Sequence, residues 1–215
     1  MDRSRVGIVI PALNESATIA VIVEAVKKYG VPIVVDDGST DNTADLARQA
    51  GGILVSHECN RGYDAALDSG FRKASAIACE VIITVDADGQ HDPSLINKFI
   101  ERIDAGAEVV VGTRSARQRL AEHVFAWYTR SRFGIHDPLC GMKAYKTSVY
   151  RALGYFDSYG SIGTELMIFA AKNGYRIEQI PFDVRERKGQ SRFGRVISGN
   201  CKIFRAMMYS FWRVK

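Results

Sequence analysis

Two aspartates stand one residue apart, Asp86 and Asp88, directly after the apolar run Val81–Val85. Carboxyl groups with an ordinary pKa of about 3.9 are both ionised at neutral pH, so the pair repels unless a cation lies beside it. Mg²⁺ and Mn²⁺ prefer oxygen ligands and are commonly held by one or two carboxylates together with substrate phosphates. The spacing predicts a site for Mg²⁺ or Mn²⁺ formed by Asp86, Asp88 and the neutral oxygen of Gln90. His91 could be a ligand, but a hydrogen-bonding role in the loop is favoured.

Two further polar clusters follow apolar runs, "PALNES" after Val6–Ile10 and "DDGSTDNT" after Ile33–Val35. Each cluster alone is also typical of a helix-capping loop, but three at one sheet edge indicate a binding site. Asp37 or Asp36 is expected to accept hydrogen bonds from a ribose or a base, beside a tight turn at Gly38. The chain has neither a P-loop nor G-x-G-x-x-G after its first strand, which argues against nicotinamide cofactors.

The elements that position these clusters are short apolar runs separated by helix-like segments. Runs rich in Val and Ile and apolar at every position suit parallel strands that are covered on both faces. The alternation predicts an α/β sandwich around an open, mainly parallel sheet. The predicted strands are Val6–Ile10, Val31–Val35, Ile53–Val55, Val81–Val85 and Val109–Val111. Beyond Gly112 the pattern is irregular, and it resumes with a strand at Met142–Tyr145 and a helix at Gly163–Asn173.

Composition places the chain among ordinary globular domains. It has 215 residues, 47% of them hydrophobic, a net charge of +5 and four cysteines without a C-x-x-C pair. Such a chain can bury one sizeable core without disulfides or structural zinc, and a reducing cytosol fits it best. It shows no signal-peptide core and no apolar run long enough for a membrane span.

The last third of the chain gathers basic residues. Ile197, Phe204, Met208 and Phe211 fall close to helical spacing, with Lys202, Arg205, Arg213 and Lys215 among them. We expect one folded domain over residues 1–195 and a basic amphipathic helix over 196–215. This helix either packs on the domain or lies in a membrane interface, which would place the protein at the cytoplasmic face of a membrane.

An ordered set of motifs covers nearly the whole chain. The segments are "PALNE" (11–15), "VVDDGSTDNT" (34–43), "NRGYDAAL" (60–67), "DADGQHDP" (86–93), "GTR" (112–114), "DPLCGMKAY" (137–145) and "RKGQSR" (187–192). Together they resemble the family 2 glycosyltransferases of the GT-A fold, which is a Rossmann-like three-layer sandwich. Within that family the chain is most similar to the dolichyl-phosphate mannose synthases and polyprenyl-phosphate glycosyltransferases.

The resemblance implies roles for residues at the matching positions. The donor nucleoside would contact Pro11, Ala12, Asn14, Glu15 and Asp37, and the metal on its diphosphate would be held by Asp86, Asp88 and Gln90. Phosphate charge would be gathered by Arg114, Arg187, Ser191 and Arg192, the last replacing a lysine of the family's loop. Glu165 matches an acidic position near the acceptor. The implied partners are a nucleotide-sugar and a lipid-phosphate or glycan acceptor, without nucleic acid.

The implied reaction is an inverting displacement at the anomeric carbon of the donor, with Asp88, Arg114 and Glu165 as the expected catalytic residues. A lipid phosphate would attack without a strong base, whereas a sugar hydroxyl would need a carboxylate, for which Glu165 is favoured. The segment from Arg114 to Asp137 is shorter than in the usual polyprenyl-phosphate enzymes, which leaves both acceptors open. A phosphohydrolase would place its acid pair after the first strand, and a non-catalytic nucleotide-sugar-binding module remains the non-enzyme alternative.

Overall fold

The sheet is the central layer of the molecule. The structure is a computed structural model that describes residues 1–115, 119–183 and 196–212. The strands are β1 (Val6–Ala12), β2 (Val31–Asp36), β3 (Ile53–Ser56), β4 (Val81–Thr84), β5 (Val109–Arg114), β6 (Lys143–Lys146) and β7 (Ile177–Phe182). Their order across the sheet is β3-β2-β1-β4-β6-β5-β7, and β6 alone runs antiparallel to its neighbours. The predicted open, mainly parallel sheet is confirmed.

Helices cover both faces of this sheet. They are α1 (Ile19–Val26), α2 (Thr43–Gln49), α3 (Tyr63–Ala76), α4 (Leu95–Asp104), α5 (Leu120–Phe133), α6 (Thr147–Leu153), α7 (Glu165–Lys172) and α8 (Val196–Trp212). One apolar layer packs β1 through Ile8 and Ile10 with residues of α1, α2 and α4. The opposite layer packs Val9 with residues of α3, α5, α6, α7 and α8. Successive side chains of β1 therefore pack into two cores on opposite faces of the sheet, which is why the run is apolar at every position.

The predicted elements and the observed ones differ mainly after β5. All five predicted strands are present, and the predicted sixth strand and the helix after it appear as β6 and α7. The 14-residue helix α5 lies in the stretch that sequence periodicity left irregular. It was missed because α5 is apolar on two sides: Phe125 is buried, whereas Leu120 and Trp127 are 72% and 71% exposed. Strand β7 was also missed, since "IEQIPF" mixes polar residues with Pro181, as edge strands tolerate.

The terminal segment forms α8, which packs against α5. Its buried residues include Ile203 and Ala206, so one face belongs to the core of the domain. Within the described ranges no helix is both long and apolar enough to cross a bilayer.

Candidate active site

The polar loops lie where the sheet changes direction. The chain runs outward through β1, β2 and β3, then returns to place β4 on the other side of β1. In open α/β sheets the crevice at such a switch point, beyond the carboxyl ends of the strands, is where ligands bind. The loops after β1 and β4 flank this crevice, and Thr18 Oγ1 joins them by donating a 2.6 Å hydrogen bond to the carbonyl of Ala87.

The loop after β1 is fastened to the loop after β2. Asn14 adopts a left-handed backbone with φ of 50°, a conformation that asparagine tolerates better than most residues. Its N–H donates to Ser39 Oγ at 2.8 Å, and its side-chain oxygen accepts from the N–H of Thr40 at 2.7 Å. The N–H of Glu15 donates to Thr43 Oγ1 at 2.7 Å. The structure thus brings the predicted donor-binding segments 11–15 and 36–43 together as one wall of the crevice.

Asp37 is buried and already bonded, unlike a carboxylate that is exposed to accept hydrogen bonds from a ribose. The residue is 4% exposed, and its Oδ1 lies 2.7 Å from His57 Nδ1 and accepts from the N–H of Arg61 at 2.9 Å. Its Oδ2 accepts from the N–H of Gly62 at 2.8 Å. The neighbouring Asp36 is also buried, and its Oδ1 accepts a longer bond, 3.3 Å, from the N–H of Ser39. Asp37 therefore fixes the "NRG" segment that leads into α3.

Asp86 and Asp88 stand at the mouth of the crevice, after β4. The side chain of Asp86 is 30% exposed, and its Oδ1 accepts a 3.2 Å hydrogen bond from the hydroxyl of Tyr63. Asp88 is 6% exposed and its Oδ1 accepts from the N–H of Gln90 at 3.0 Å, across a turn in which Gly89 has φ of 76°. Asp86, Asp88 and Gln90 thus belong to one tight turn after β4.

His91 supports this turn from below. It is buried, its Nε2 lies 3.9 Å from Asp86 Oδ2, and its ring meets Phe182 of β7 edge to face at 5.7 Å. The N–H of Asp86 approaches His91 Nδ1 at 3.4 Å. These contacts match the loop-supporting role that the sequence favoured over metal ligation.

Asp86 also fits closely against the segment before β6. The Asp86 carboxylate occupies the space where the Cβ of any other residue at position 141 would lie. The next charged side chain, Lys143, is 4% exposed and donates to the carbonyl of Gly163 at 2.9 Å. Burial lowers the pKa of Lys143, and nearby negative charge, including that of Asp137 and Asp86, opposes this. The buried Lys143 amine therefore lies close to Asp137 and Asp86, whose negative charge favours its protonated form.

Arg114 ends β5 at the same edge, and its Nε and Nη2 groups are bonded to acidic side chains. Its Nε and Nη2 donate to the two oxygens of Asp137 at 2.8 and 2.9 Å, and Nη2 also lies 3.3 Å from Glu122. Asp137 is 1% exposed, and although burial favours its neutral form, the Arg114 guanidinium holds its pKa below the ordinary value. Arg114 thus anchors the segment before β6.

Glu165 begins α7 and is 1% exposed. Its Oε1 accepts from Ser158 Oγ at 2.8 Å and its Oε2 from the N–H of Ser158 at 2.6 Å. Burial raises its pKa, and the bonds from Ser158 oppose that shift. Glu165 therefore is a buried residue that holds the loop containing Ser158.

A cavity of about 390 Å³ lies between that loop and the start of α3. Among its lining residues are Tyr63, Asp64, Asp157 and Ser158. Asp64 accepts from the N–H groups of Gly163 and Ile162, and burial followed by the charge of Asp157 raises its pKa to about 6. Since Tyr63 also bonds to Asp86, the cavity adjoins the acid pair. Sequence reasoning missed Asp64 and Lys143, although both lie inside motifs that carried the resemblance.

The basic segment predicted to bind phosphate, with Arg187, Ser191 and Arg192, lies outside the described residues. Strand β7 ends at Phe182, in register with Arg114. Asp183, the last described residue before the gap, lines a second cavity of about 360 Å³ together with Arg114.

The fold and this arrangement of loops define a GT-A glycosyltransferase. The chain belongs to glycosyl transferase family 2, whose model matches residues 7–162. It is 30% identical over 210 residues to the polyprenol monophosphomannose synthase of Mycolicibacterium smegmatis, covering 86% of this chain and 78% of the relative. It is 27% identical over 201 residues to the dolichyl-phosphate hexose transferase of Haloferax volcanii, covering 86% of this chain and 85% of the relative.

Among solved structures, glucosyl-3-phosphoglycerate synthase from Mycobacterium tuberculosis, in complex with Mn²⁺, UDP and phosphoglyceric acid, superposes with a TM-score of 0.78. The alignment covers 95% of this chain and 78% of that one at 21% identity, so the likeness is one of fold. The predicted GT-A class and the assignment as a glycosyltransferase are both confirmed.

Proposed function

We propose that this glycosyltransferase is a metal-dependent inverting enzyme that moves a sugar from a GDP- or UDP-sugar to a polyprenyl or dolichyl phosphate. The observation that carries the proposal is the position of Asp86 and Asp88 at the switch-point crevice, beside the fastened loops of residues 11–15 and 36–43. A carboxylate pair in this place faces the diphosphate of a nucleotide held by those loops.

The residues present fit Mg²⁺ or Mn²⁺. Asp86, Asp88 and Gln90 offer oxygen donors in one turn, and Asp86 remains partly accessible. Across the described ranges no group of three or more His, Cys, Asp or Glu side chains could hold a metal alone, which suits an ion that takes further ligands from a diphosphate. When bound, such an ion supplies positive charge where the leaving diphosphate gains negative charge.

The nucleoside would lie against Pro11, Ala12, Asn14 and Glu15. The N–H of Asp37 donates to the carbonyl of Ala12 at 2.9 Å, so the ends of β1 and β2 form one continuous floor. The carboxylate of Asp37 is already in hydrogen-bonding contact with His57, Arg61 and Gly62. In this proposal it orients the donor pocket through those contacts as well as forming its wall.

In the transfer step an acceptor oxygen attacks the anomeric carbon while the bond from that carbon to the diphosphate oxygen breaks, with inversion of configuration. Arg187, Ser191 and Arg192 would bind phosphate, since guanidinium groups match phosphate geometry. Arg114 contributes by holding Asp137 and the segment that presses Gly141 against Asp86.

A lipid-phosphate acceptor agrees with the state of the acids around the cavity. Glu165 is bonded to Ser158, Asp157 accepts from the N–H groups of Gly160 and Ser161, and Asp64 accepts from two other N–H groups. An anionic phosphate oxygen attacks without giving up a proton to any of them. The names of the relatives from Mycolicibacterium and Haloferax also favour this acceptor.

A sugar hydroxyl is the second acceptor to test. The polar lining of the 390 Å³ cavity, with Asp64 and Asp157, suits hydroxyl groups, and Glu165 would serve as base only after releasing Ser158. In that case loss of Glu165 would abolish transfer, whereas a phosphate acceptor would tolerate it better.

The experiment is a panel of GDP- and UDP-sugars incubated with the protein and Mn²⁺, with polyprenyl phosphate in one arm and an oligosaccharide in the other. We expect mass spectrometry to detect a polyprenyl-phosphate sugar that forms only with metal. Transfer to the oligosaccharide alone would refute the lipid acceptor. Donor binding without transfer in either arm would refute the proposed transfer and favour a nucleotide-sugar-binding module.

A further inference from the structure

The two helices α5 and α8 pack against each other, and each turns a second apolar face away from the core. On α5 the inner face includes Phe125, which is fully buried. On the outer face Leu120 and Trp127 are 72% and 71% exposed, and Val124 lies half-buried between them. Residues three, four and seven apart share one side of a helix, so these three form a continuous apolar stripe.

Helix α8 repeats the pattern. Ile203 and Ala206 are buried, whereas Phe204, Met208 and Trp212 are 38%, 52% and 84% exposed. The exposed three are spaced by four residues and therefore line the side of α8 opposite its buried face. Large apolar side chains gathered on neighbouring helices indicate a contact surface rather than scattered surface residues.

The charges beside the stripes have one sign. The sequence of α8 contains no Asp or Glu, and the single acid of α5, Glu122, is buried beside Arg114. The exposed charged side chains of the two helices are Arg130, Arg132, Lys202 and Arg205. An anionic partner would meet complementary charge here, whereas a second copy of the same surface would meet its own cations.

We propose that the outer faces of α5 and α8 form a docking surface for the headgroup interface of an anionic lipid bilayer. Tryptophan beside apolar and basic residues is the composition that favours this interface, and the helices would lie on the bilayer without crossing it. The proposal deepens the proposed function, because a polyprenyl phosphate is presented at a bilayer surface. The biological role of this surface rests on the proposed function, whereas the structural observation behind it is the exposed stripes.

The protein carries its own reporters for this surface. Its only two tryptophans are Trp127 and Trp212, one on each helix. Titration with vesicles of phosphatidylcholine and about 30% phosphatidylglycerol should shift tryptophan emission to shorter wavelength, and brominated lipids should quench it. In the variants Trp127→Phe and Trp212→Phe the remaining tryptophan reports one helix, and both are expected to respond.

Binding itself is measured by vesicle flotation. We expect at least about tenfold tighter binding to the anionic vesicles than to pure phosphatidylcholine, weakened by salt. The double variant Leu120→Glu/Met208→Glu should lose about tenfold or more of that affinity. The matched control is Val21→Glu, at a position that is 72% exposed on α1 at the other face of the sheet, and it should bind normally.

Three results would overturn the proposal. The first is that vesicles shift the tryptophan emission of neither single-tryptophan variant. The second is that Leu120→Glu/Met208→Glu and Val21→Glu bind the anionic vesicles equally well. The third is an emission shift that occurs without lipid, follows protein concentration and accompanies a dimer in sedimentation velocity. The last would assign the surface to a second copy of the chain. The vesicles contain neither polyprenyl phosphate nor donor, so vesicle binding and sugar transfer are measured separately. Docking can therefore fail while transfer succeeds, and transfer can fail while docking succeeds.

Discussion

The guanidinium of Arg114 donates two parallel hydrogen bonds to the carboxylate of Asp137, at 2.8 and 2.9 Å, and the N–H of Arg114 adds a third at 3.0 Å. The pair joins the end of β5 to the segment that precedes β6. It is therefore a structural joint at the edge of the site, and any role of Arg114 in the proposed transfer depends on it.

Removing one charge of this joint should destabilise the protein. Asp137→Asn removes the nearer of the two acids that face the partly buried Arg114 and leaves only the longer contact with Glu122, and we expect the free energy of unfolding to fall by about 3 kcal/mol in urea titrations. The control is Asp45→Asn, which breaks the exposed pair with Arg48 and should cost less than about 1 kcal/mol. Equal effects of the two variants would contradict the structural role of the Arg114–Asp137 pair.

The metal assignment is tested at Asp88. Asp88→Ala should reduce kcat/KM by about 100-fold or more and remove the Mn²⁺ dependence of nucleotide binding, since the diphosphate loses its neutralising charge. Calorimetric titration of nucleotide with and without Mn²⁺ measures the second effect. Asp104→Ala, at the far end of α4, serves as the control and should keep both properties. Unchanged activity of Asp88→Ala would refute the metal site.

Gly141→Ala tests the close approach between the segment before β6 and the acid pair. The new methyl group would have to displace the Asp86 carboxylate, a short side chain at a loop. We expect transfer activity to fall by about tenfold or more while thermal unfolding changes by only a few degrees. Full activity in this variant would show that the position of Asp86 is not critical.

Arg187→Ala tests the acceptor. If this residue binds the phosphate of the acceptor, the loss of kcat/KM with polyprenyl phosphate should exceed about tenfold, and transfer to a neutral acceptor should change little. Arg48→Ala, an exposed arginine on α2, is the control for general loss of positive charge. Equal losses on both acceptors would argue against recognition of a lipid phosphate.

Asp64 gives stability a defined dependence on pH. Burial and the neighbouring Asp157 raise its pKa to about 6, against an ordinary value of 3.8. Between these values the folded protein retains a proton that the unfolded chain has released, so this contribution to stability is present below pH 3.8 and is lost as pH rises through 6. Compared with Asp64→Asn, wild-type stability should fall by about 2 kcal/mol across this window, allowing for partial exposure.

Urea titrations of both proteins at pH 4, 5, 6 and 7 measure that difference. A constant difference between wild type and Asp64→Asn would show that Asp64 titrates as it does in an unfolded chain.

The sequence predicted the part of the fold that local patterns encode. Parallel strands covered on two faces are apolar at nearly every position, so Val6–Ile10 and Val81–Val85 were recognisable, and Asp86 and Asp88 could be placed at the end of β4. Helix α5 was not recognisable, because Leu120 and Trp127 stand on its exposed side, where an amphipathic helix pattern has polar residues.

Contacts between distant segments could not be predicted from patterns. The hydroxyl of Tyr63 reaches Asp86 because α3 begins beside β4, and Asp137 meets Arg114 across 23 residues. For Lys143 the available signal was its position inside a predicted strand. Charged residues are rarely buried without partners, so a lysine there indicates a specific contact. The roles of Glu165 and Arg114 depended on which neighbours would use their hydrogen-bonding groups, and only the structure gives those neighbours.

The reversed direction of β6 makes one region of this protein modular. Strand β5 ends and β6 begins at the same sheet edge, with Val111 paired to Lys143. The 28 residues from 115 to 142 therefore leave and rejoin the sheet on the side of the site, and they include all of α5. Their length can change without altering the register of any strand. Asp137 and Gly141 contact Arg114 and Asp86, so an exchange of this excursion between relatives must end before residue 137 if the acid pair is to keep its position.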